Sequence, residues 1–417
     1  MNKQKLMILF ASQQSFHSLI VGIMLPVLVL LFQSRGLNLQ DVGLVMAVWV
    51  GSTAMLEIPL GGVADRYGRK STYLWSLVVN LAGVVALYFA SGLGLILLAA
   101  CLLGSARAIY SGTLDAWFYD SFQRADGHLT YHQALSVVNI CVTVGLAAGA
   151  FLGGWLPDAI QSEPFDFTGQ FNINLLVVGG ATLCLFLFTV LLIQEDVCRS
   201  SMTGSDAKKQ PGYRGQMKKA LRASMTQDVL KPLMQTMLIF GVVLSSLENF
   251  WQPFLASIIQ GSDYGTSFFG VVSALYFLMA AAASLFSVKF LRAFAGSHRM
   301  LLLATRIIAG GVLLVLAMTK TLEAFAVSYL VFFFFFTMGI NSERVLLNEN
   351  TEDENRSTMI SISSFTMMLG GMASSLLFGY ISEVYGISMN WMICGGLLIL
   401  SSLLYLRIPS EGPAVEA

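Results

Sequence analysis

Five Asp, Glu, Lys or Arg residues lie inside long apolar stretches of this sequence: Glu57, Arg107, Asp115, Glu248 and Arg306. A charged side chain at the centre of a bilayer costs about 2.5 to 3.5 kcal/mol on insertion scales, and such residues are usually retained for function. A carboxyl group at that depth can bind a proton from one side and release it to the other. We therefore treat Glu57, Asp115, Arg107 and Glu248 as candidates for proton coupling. The competing interpretation for Glu57 and Asp115 is that each is fixed by Arg107 or a backbone donor for structure alone.

Polar and aromatic side chains in the same stretches could line a cavity for an organic molecule. Glu248, Trp251 and Gln252 have the spacing of one helix face, which would combine charge pairing with cation–π contact. His17 follows a polar run in the first apolar stretch and could titrate near neutral pH. The candidate cavity residues are His17, Tyr110, Glu248, Trp251 and Gln252. The alternatives are a salt bridge at the membrane rim for Glu248 and an interhelical hydrogen bond for His17.

Membrane helices must position these residues. Of the 417 residues, 56% are hydrophobic and only 12% are charged, about half the charge of a soluble domain. Twelve apolar stretches come close to the roughly 20 residues needed to cross a bilayer. The sequence therefore predicts an all-α integral membrane protein with twelve transmembrane helices in two pseudo-symmetric six-helix bundles.

A polar stretch divides the chain. It separates an N-terminal six-helix bundle, residues 1–194, from a C-terminal bundle with a short tail, residues 233–417. Shifting the first half by about 225 residues aligns its spans with those of the second, as internal duplication would produce. The linker, residues 195–232, carries apolar residues every fourth position beside cations, which indicates either a helix on the membrane surface or a solvated tether.

The distribution of Lys and Arg predicts the orientation in the membrane, because basic residues are retained on the cytoplasmic side. With both termini inside, twenty Lys and Arg residues fall inside, against Arg35 and Lys320 outside. Arg306, seven residues after Arg299, is then expected to snorkel or pair near the inner face. The absence of an extracellular glycosylation sequon and the short loops favour a bacterial inner membrane.

Other classes of function have little support in the sequence. The formal net charge is zero and no basic stripe indicates a nucleic-acid partner. The five cysteines show neither a disulfide framework nor metal-ligand spacing, and we expect no cofactor or metal. The sequence shows no pairing of a nucleophile with a base that would indicate an enzyme.

The connection after the second span is a tight basic turn, Gly61-Gly62-Val63-Ala64-Asp65-Arg66-Tyr67-Gly68-Arg69-Lys70. It resembles the signature loop of the major facilitator superfamily, G-x-x-x-D-R-x-G-R-K. In that family the loop joins a charge network at the cytoplasmic end of the fourth helix that holds the halves together. The resemblance implies a cytoplasmic gate formed by these residues of the loop and of the fourth span: Gly62, Asp65, Arg66, Gly68, Arg69, Lys70 and Asp120.

Two further spans resemble the drug/proton antiporter branch of that superfamily. Arg107 is similar to the arginine of an Arg-x-x-Gln-Gly pattern associated with proton-coupled transport, although Tyr110 and Ser111 replace the Gln and Gly. The fifth span carries Gly145, Gly149, Gly153 and Gly154, similar to a Gly-Pro-x-x-Gly-Gly motif, with Ala150 in place of the proline. Small residues at this spacing also allow close helix packing without any special role.

These observations predict a secondary active transporter that works by alternating access. Proton-coupled efflux of amphipathic or drug-like molecules, by a monomer, is the leading hypothesis. A proton symporter that imports a small nutrient is the nearest alternative. A receptor or lipid scramblase on the same scaffold is more distant, because it would gain nothing from buried ionisable residues.

Overall fold

The computed structural model describes residues 2–60, 63–160, 169, 171–194, 221–261, 264–352 and 355–409. Every regular element among these residues is helical. The helices are α1 Lys3–Met24, α2 Leu28–Ser34, α3 Leu39–Leu60, α4 Val63–Tyr67, α5 Arg69–Phe89, α6 Leu93–Tyr110, α7 Thr113–Arg124, α8 Tyr131–Ala159, α9 Asn172–Leu192, α10 Leu230–Ile259, α11 Ser267–Ala293, α12 His298–Leu316, α13 Leu322–Met338, α14 Ile340–Glu349, α15 Arg356–Tyr385, α16 Ile387–Ser402 and a 3-10 helix Leu403–Arg407.

Twelve of these helices or consecutive helix pairs, within the described residues, are long and apolar enough to cross a membrane. The prediction of an all-α membrane protein with twelve spans is confirmed. The spans, numbered one to twelve, are Lys3–Ser34, Leu39–Glu57, Arg69–Phe89, Leu93–Arg124, Tyr131–Ala159, Asn172–Leu192, Leu230–Ile259, Ser267–Ala293, His298–Leu316, Leu322–Glu349, Thr358–Tyr385 and Ile387–Arg407.

Spans one, four and ten are each built from two helices. Span one breaks around Pro26, which has no N–H to continue the hydrogen-bond ladder. Span four breaks at Ser111 and Gly112, and Gly112 adopts a φ of 68°, a left-handed conformation that glycine reaches without strain. Span ten changes helix at Gly339. Backbone groups released at such breaks need partners, because lipid offers none.

The helices recur along the chain with a nearly constant offset. Helix α1 begins at Lys3, and α10 begins 227 residues later. The same offset relates Pro26 to Pro253 and the break at Gly112 to the break at Gly339. The two halves of the sequence therefore repeat a helix start and the break of span four. At the repeated proline they differ, because α10 continues through Pro253 whereas span one is interrupted at Pro26.

The described chain forms two compact units, of which the first contains Met1–Asp196 and Asn249–Leu278. The second segment belongs by sequence to the predicted C-terminal half. A large apolar core in this unit centres on span one. The division into two six-helix bundles, residues 1–194 and 233–417, was inferred from the sequence repeat and stays a prediction.

Within this unit, spans one and five approach until their backbones touch. A Cβ on Gly149 would lie 2.1 Å from the Leu19 carbonyl oxygen, and one on Gly153 would lie 2.0 Å from that of Ile23. Only hydrogen fits at these positions, so the glycines set how closely the two helices pack.

The other two glycines of the predicted packing motif also lie at backbone contacts. A Cβ on Gly145 would lie 2.3 Å from the Ser15 carbonyl oxygen of span one. Gly154 faces span eight instead, where a Cβ would lie 2.5 Å from the Gly270 nitrogen. Span five therefore uses its glycines against two different neighbours.

The second unit contains Val197–Glu248 and Met279–Ala417. Spans seven and eleven pack as closely as spans one and five. A Cβ on Gly241 would lie 2.0 Å from the Met367 carbonyl oxygen, and one on Gly370 would lie 2.1 Å from that of Leu238. The glycine contact is thus repeated between equivalent spans of the two halves.

The predicted surface helix of the linker lies mostly outside the described residues. Its described part is helical at 221–226. Leu221 and Met225, which the four-residue spacing places on one face, are both exposed there.

We expect Gly149→Ala to lower the apparent melting temperature of the purified protein. Overpacking a close contact costs about 1 to 3 kcal/mol, which outweighs the roughly 0.8 to 1.0 kcal/mol that Ala gains over Gly in a helix. Gly180→Ala is the matched control, because a Cβ on Gly180 meets no described atom within 4 Å. The control should melt at the wild-type temperature or above it, and equal melting of the two variants would contradict the packing argument.

Candidate functional site

The break in span four brings polar groups of two spans together. The Ser111 hydroxyl lies 3.4 Å from Glu57 Oε1 of span two. Arg107 precedes Ser111 by four residues and Asp115 follows it by four. The structure therefore places Glu57 beside the break, with Arg107 and Asp115 within about one turn on either side of it.

Arg107 and Asp115 are exposed, whereas Glu57 is half-buried. Ionised groups facing hydrocarbon would carry the insertion cost in full. We therefore expect the exposed side chains of Arg107 and Asp115 to face water rather than lipid. We name Glu57, Arg107, Ser111 and Asp115 the span-four cluster.

A second polar group lies in the core of the first unit. His17 Nδ1 is 2.6 Å from the Tyr73 hydroxyl, and the His17 and Tyr110 rings are 4.6 Å apart between centroids. His17, Tyr110 and Asn80 help to line a cavity of about 30 Å³, room for about one water molecule. We name this group the His17 pocket.

Gln13 lies in the turn before His17 and is fully buried. Neither atom of its side-chain amide has a hydrogen-bond partner among the described residues. A buried amide without partners is costly. Of the polar run before His17, Gln13 therefore points into the protein core, whereas Ser12 is exposed.

The Glu248, Trp251 and Gln252 side chains differ in exposure. Glu248 is exposed, while Trp251 and Gln252 are buried. Trp251 packs against Phe269, with ring centroids 5.9 Å apart, and the Gln252 amide donates to the Leu25 carbonyl oxygen at 2.8 Å. Trp251 and Gln252 therefore make packing and hydrogen-bond contacts within the first unit. The assignment of Glu248, Trp251 and Gln252 to a substrate cavity stays a prediction.

The basic connection after span two contains an ion pair with span four. Arg69 Nη1 lies 2.7 Å from Asp120 Oδ2. The Lys70 ammonium donates to the Val190 carbonyl oxygen of span six at 2.8 Å. Two cations of the connection thus hold it against neighbouring spans.

The remaining residues of this connection shape the turn. Gly68 has a φ of 94°, which favours glycine at this position. Arg66 is exposed and stacks on Tyr67. Gly62 and the side chain of Asp65 lie outside what the structure describes.

A buried ion pair in the second unit was not expected from the sequence. Arg306 of span nine is 2% exposed, and its Nη2 lies 2.9 Å from Glu343 Oε1 of span ten. The Tyr405 hydroxyl donates to the same carboxylate oxygen at 2.7 Å. Arg306 also donates to the Phe336 carbonyl oxygen and lies over the Phe336 ring. Arg306 therefore pairs in the core and does not snorkel to a membrane face.

The sequence contained a signal for this pair. A search for apolar stretches in the sequence ends the tenth span at Ile340 and leaves out the polar segment that follows. In the structure the span continues to Glu349. A hydropathy average ends the span there because it gives Glu343 the same penalty whether or not the acid has a cationic partner. Extending the span by one helix would have placed Glu343 in the membrane, opposite an arginine in span nine.

The family model of the Major Facilitator Superfamily matches residues 10–341 and 238–417. The chain therefore belongs to the major facilitator superfamily, a family of membrane transporters. The repeated helix start and the break shared by spans four and ten fit this fold.

Three known proteins show how far the likeness extends. An uncharacterized MFS-type transporter, YxaM of Bacillus subtilis (strain 168), is 20% identical over 405 residues, 97% of this chain and 96% of its own length. The quinolone resistance protein NorA of Staphylococcus aureus (strain MSSA476) is 25% identical over 290 residues, 66% of each chain. A crystal structure of a mutant of the nucleoside transporter NupG superposes with a TM-score of 0.83 at 14% identity, covering 97% of this chain and 100% of that one. The last likeness concerns the fold alone.

We expect Glu343→Leu to destabilise the protein by about 3 to 5 kcal/mol, because it leaves the buried Arg306 charge without its partner. The double variant Arg306→Met with Glu343→Leu should recover much of this loss, since it removes both charges. Apparent melting temperatures in detergent measure the effect. Asp120→Asn at the exposed Arg69 pair is the control and should change stability by about 1 kcal/mol or less. A double variant no more stable than Glu343→Leu would contradict this account.

Proposed function

We propose that this transporter exports amphipathic or drug-like small molecules in exchange for protons, as a monomer in a bacterial inner membrane. The observation that carries the proposal is the span-four cluster. It combines Arg107 and Asp115, which flank the break in span four, with Glu57 of span two, which lies beside that break. Binding a proton at Glu57 or Asp115 would remove a charge there and so change the energy of exposing the cluster.

The direction of transport is supported by the relatives. NorA is described as a quinolone resistance protein, a role that export of the compound would fulfil. Glu248 of span seven is a further exposed acid within a span. Such an acid would attract a lipophilic cation, because pairing in a low dielectric is stronger than in water.

The ion pair between Arg69 and Asp120 supports a gate in this proposal. With both termini in the cytoplasm, the connection after span two lies on the inner side. The pair is partly exposed, so it contributes little to stability and can open and close at low cost. Its role would be to hold the connection after span two against span four in one of the two access states.

Import of a polar nutrient is the second candidate, and the His17 pocket favours it. Beside apolar residues, the pocket is lined by hydrogen-bonding groups that include Asn80, Thr182 and Tyr110. Such groups select neutral polar solutes better than lipophilic cations. The pocket has room for about one water molecule, so it would have to widen to admit a nutrient.

Transport by the purified protein in liposomes tests the proposal. A pH gradient should drive a fluorescent lipophilic cation in the direction opposite to proton flow. Among Glu57→Gln, Asp115→Asn and Glu248→Gln, at least one should lower the gradient-driven rate by about tenfold or more, equivalent to roughly 1.4 kcal/mol in the barrier, because the removed acid carries the proton.

Asp41→Asn is the matched control, because the Asp41 carboxylate only accepts a hydrogen bond from the Asn38 N–H in its own turn at the start of α3. Solute movement in the same direction as protons would favour the import candidate. Solute movement at the same rate with and without the pH gradient would contradict proton coupling at these acids.

Asp120→Asn should lower the transport rate while the apparent melting temperature stays within a few degrees of wild type, since exposed ion pairs add only about 0 to 1 kcal/mol of stability. We expect the same result for Asp65→Asn, because Asp65 is the acid of the signature loop. The exchanged pair Arg69→Asp with Asp120→Arg should restore part of the rate, because it rebuilds the attraction in reverse. If Asp120→Asn and Asp65→Asn transport at the wild-type rate, these residues do not form the proposed gate.

A further inference from the structure

Asp158, one residue before the end of span five, makes an unusual set of contacts with the start of span eight. Its Oδ2 accepts hydrogen bonds from the Ser267 backbone N–H at 2.7 Å and from the Ser267 hydroxyl at 2.5 Å. Its Oδ1 accepts from the Thr266 N–H at 2.9 Å and from the Thr266 hydroxyl at 2.8 Å. One carboxylate thus satisfies two of the backbone donors that the N-terminus of α11 leaves unpaired.

The backbones of the two spans touch directly beside this carboxylate. A Cβ on Gly154 would lie 2.5 Å from the Gly270 nitrogen, and one on Gly265 would lie 2.4 Å from Asp158 Oδ2. The Thr266 hydroxyl is also 2.8 Å from the Gly154 carbonyl oxygen. Because glycines face each other at 154 and 270, the contact there consists of hydrogen bonds and a flat backbone surface.

A second contact ties the same part of the chain to span one. The Gln252 amide donates to the Leu25 carbonyl oxygen in the turn between α1 and α2. Both contacts fall in the segment Asn249–Leu278, which packs with the first six spans in this structure. Both therefore join helices from different halves of the sequence repeat.

We propose that Asp158, Thr266 and Ser267 form a gate on the outer side of the membrane, which we name the outer clasp. This inference rests on the proposed alternating access and adds the residues that close one side. Repeats that rock against each other must break the contacts that join them in one of the two states. A clasp of hydrogen bonds on a glycine surface can separate and re-form without unpacking apolar side chains.

The predicted orientation places the clasp on the outer side. With the N-terminus inside, span five ends outside and span eight begins there. The Arg69 and Asp120 pair then lies at the opposite, cytoplasmic side. The two polar contacts would close opposite sides of the membrane in alternation.

The test measures access to a reporter in intact cells. Ser273 is buried in span eight, seven residues after Thr266 and so on the same face of the helix. Ser273→Cys, in a protein whose five native cysteines are replaced, reports access to a membrane-impermeant maleimide from outside. Asp158→Ala should raise the modification rate on the order of tenfold, because a hydrogen bond to a charged group corresponds to about that factor in an opening equilibrium.

Three variants make the outcome specific. Asp158→Asn should raise the rate less than Asp158→Ala, because its amide oxygen still accepts while its NH₂ faces the Ser267 donors. Ser267→Ala should raise it least. Asp41→Asn should leave it at the parent value, since Asp41 caps the start of span two on the same predicted side.

Equal modification rates in Asp158→Ala and Asp41→Asn would overturn the proposal. So would an increase seen only in inverted vesicles, where the reagent meets the inner side. A loss of folding in Asp158→Ala is recognised by size exclusion, and Asp158→Asn and Ser267→Ala then carry the test. The readout needs no substrate, so a failure of drug transport with faster modification would leave the clasp standing and overturn only the proposed efflux.

Discussion

The need to satisfy backbone carbonyl groups inside a membrane governs where polar chemistry occurs in this protein. An unbroken helix satisfies its own backbone, and lipid offers no replacement where the helix is interrupted. The breaks therefore bring polar side chains to membrane depth, and the ionisable residues cluster around two of them. In each of the three interrupted spans a side chain donates to a carbonyl group near the break: Gln252 to Leu25, Thr113 to Ile109 and Arg306 to Phe336.

The repeat places the breaks of spans four and ten at equivalent positions, yet their surroundings differ. The break at Gly112 lies within the span-four cluster, whose ionisable side chains are half-buried or exposed. Beyond the break at Gly339, Glu343 is sealed between Arg306 and Tyr405. An exposed carboxyl can exchange protons with water, whereas one enclosed in the core has its oxygen occupied by protein donors. The same position along the span is thus accessible to proton exchange in the first half and enclosed in the second.

The twelve spans could be predicted from the sequence, because membrane insertion depends on local composition and each span is apolar over its own length. The sequence also indicated the glycine contacts of span five, since small residues at a four-residue spacing have few other uses. It could not identify contacts between distant positions. From composition alone, Glu343 is assigned to a polar loop. Its partner, Arg306, lies 37 residues earlier, too far along the chain for local composition to reveal the pair. Helical spacing groups Gln252 with Glu248, but the carbonyl that Gln252 satisfies belongs to span one.

Asp158 illustrates the same limit and shows what the structure adds. A single acid at the end of a span is ordinarily a solvated helix terminus, and nothing near it in the sequence suggests otherwise. Its partners, Thr266 and Ser267, lie 108 and 109 residues later and belong to the other half of the repeat. Because duplicated halves pair different helices at their outer ends, contacts of this kind arise only from the assembled fold. They are made of small and polar groups for a physical reason, since interlocked apolar side chains would have to be unpacked each time the helices part. The residues that allow such a contact to open are therefore ones that composition alone does not single out.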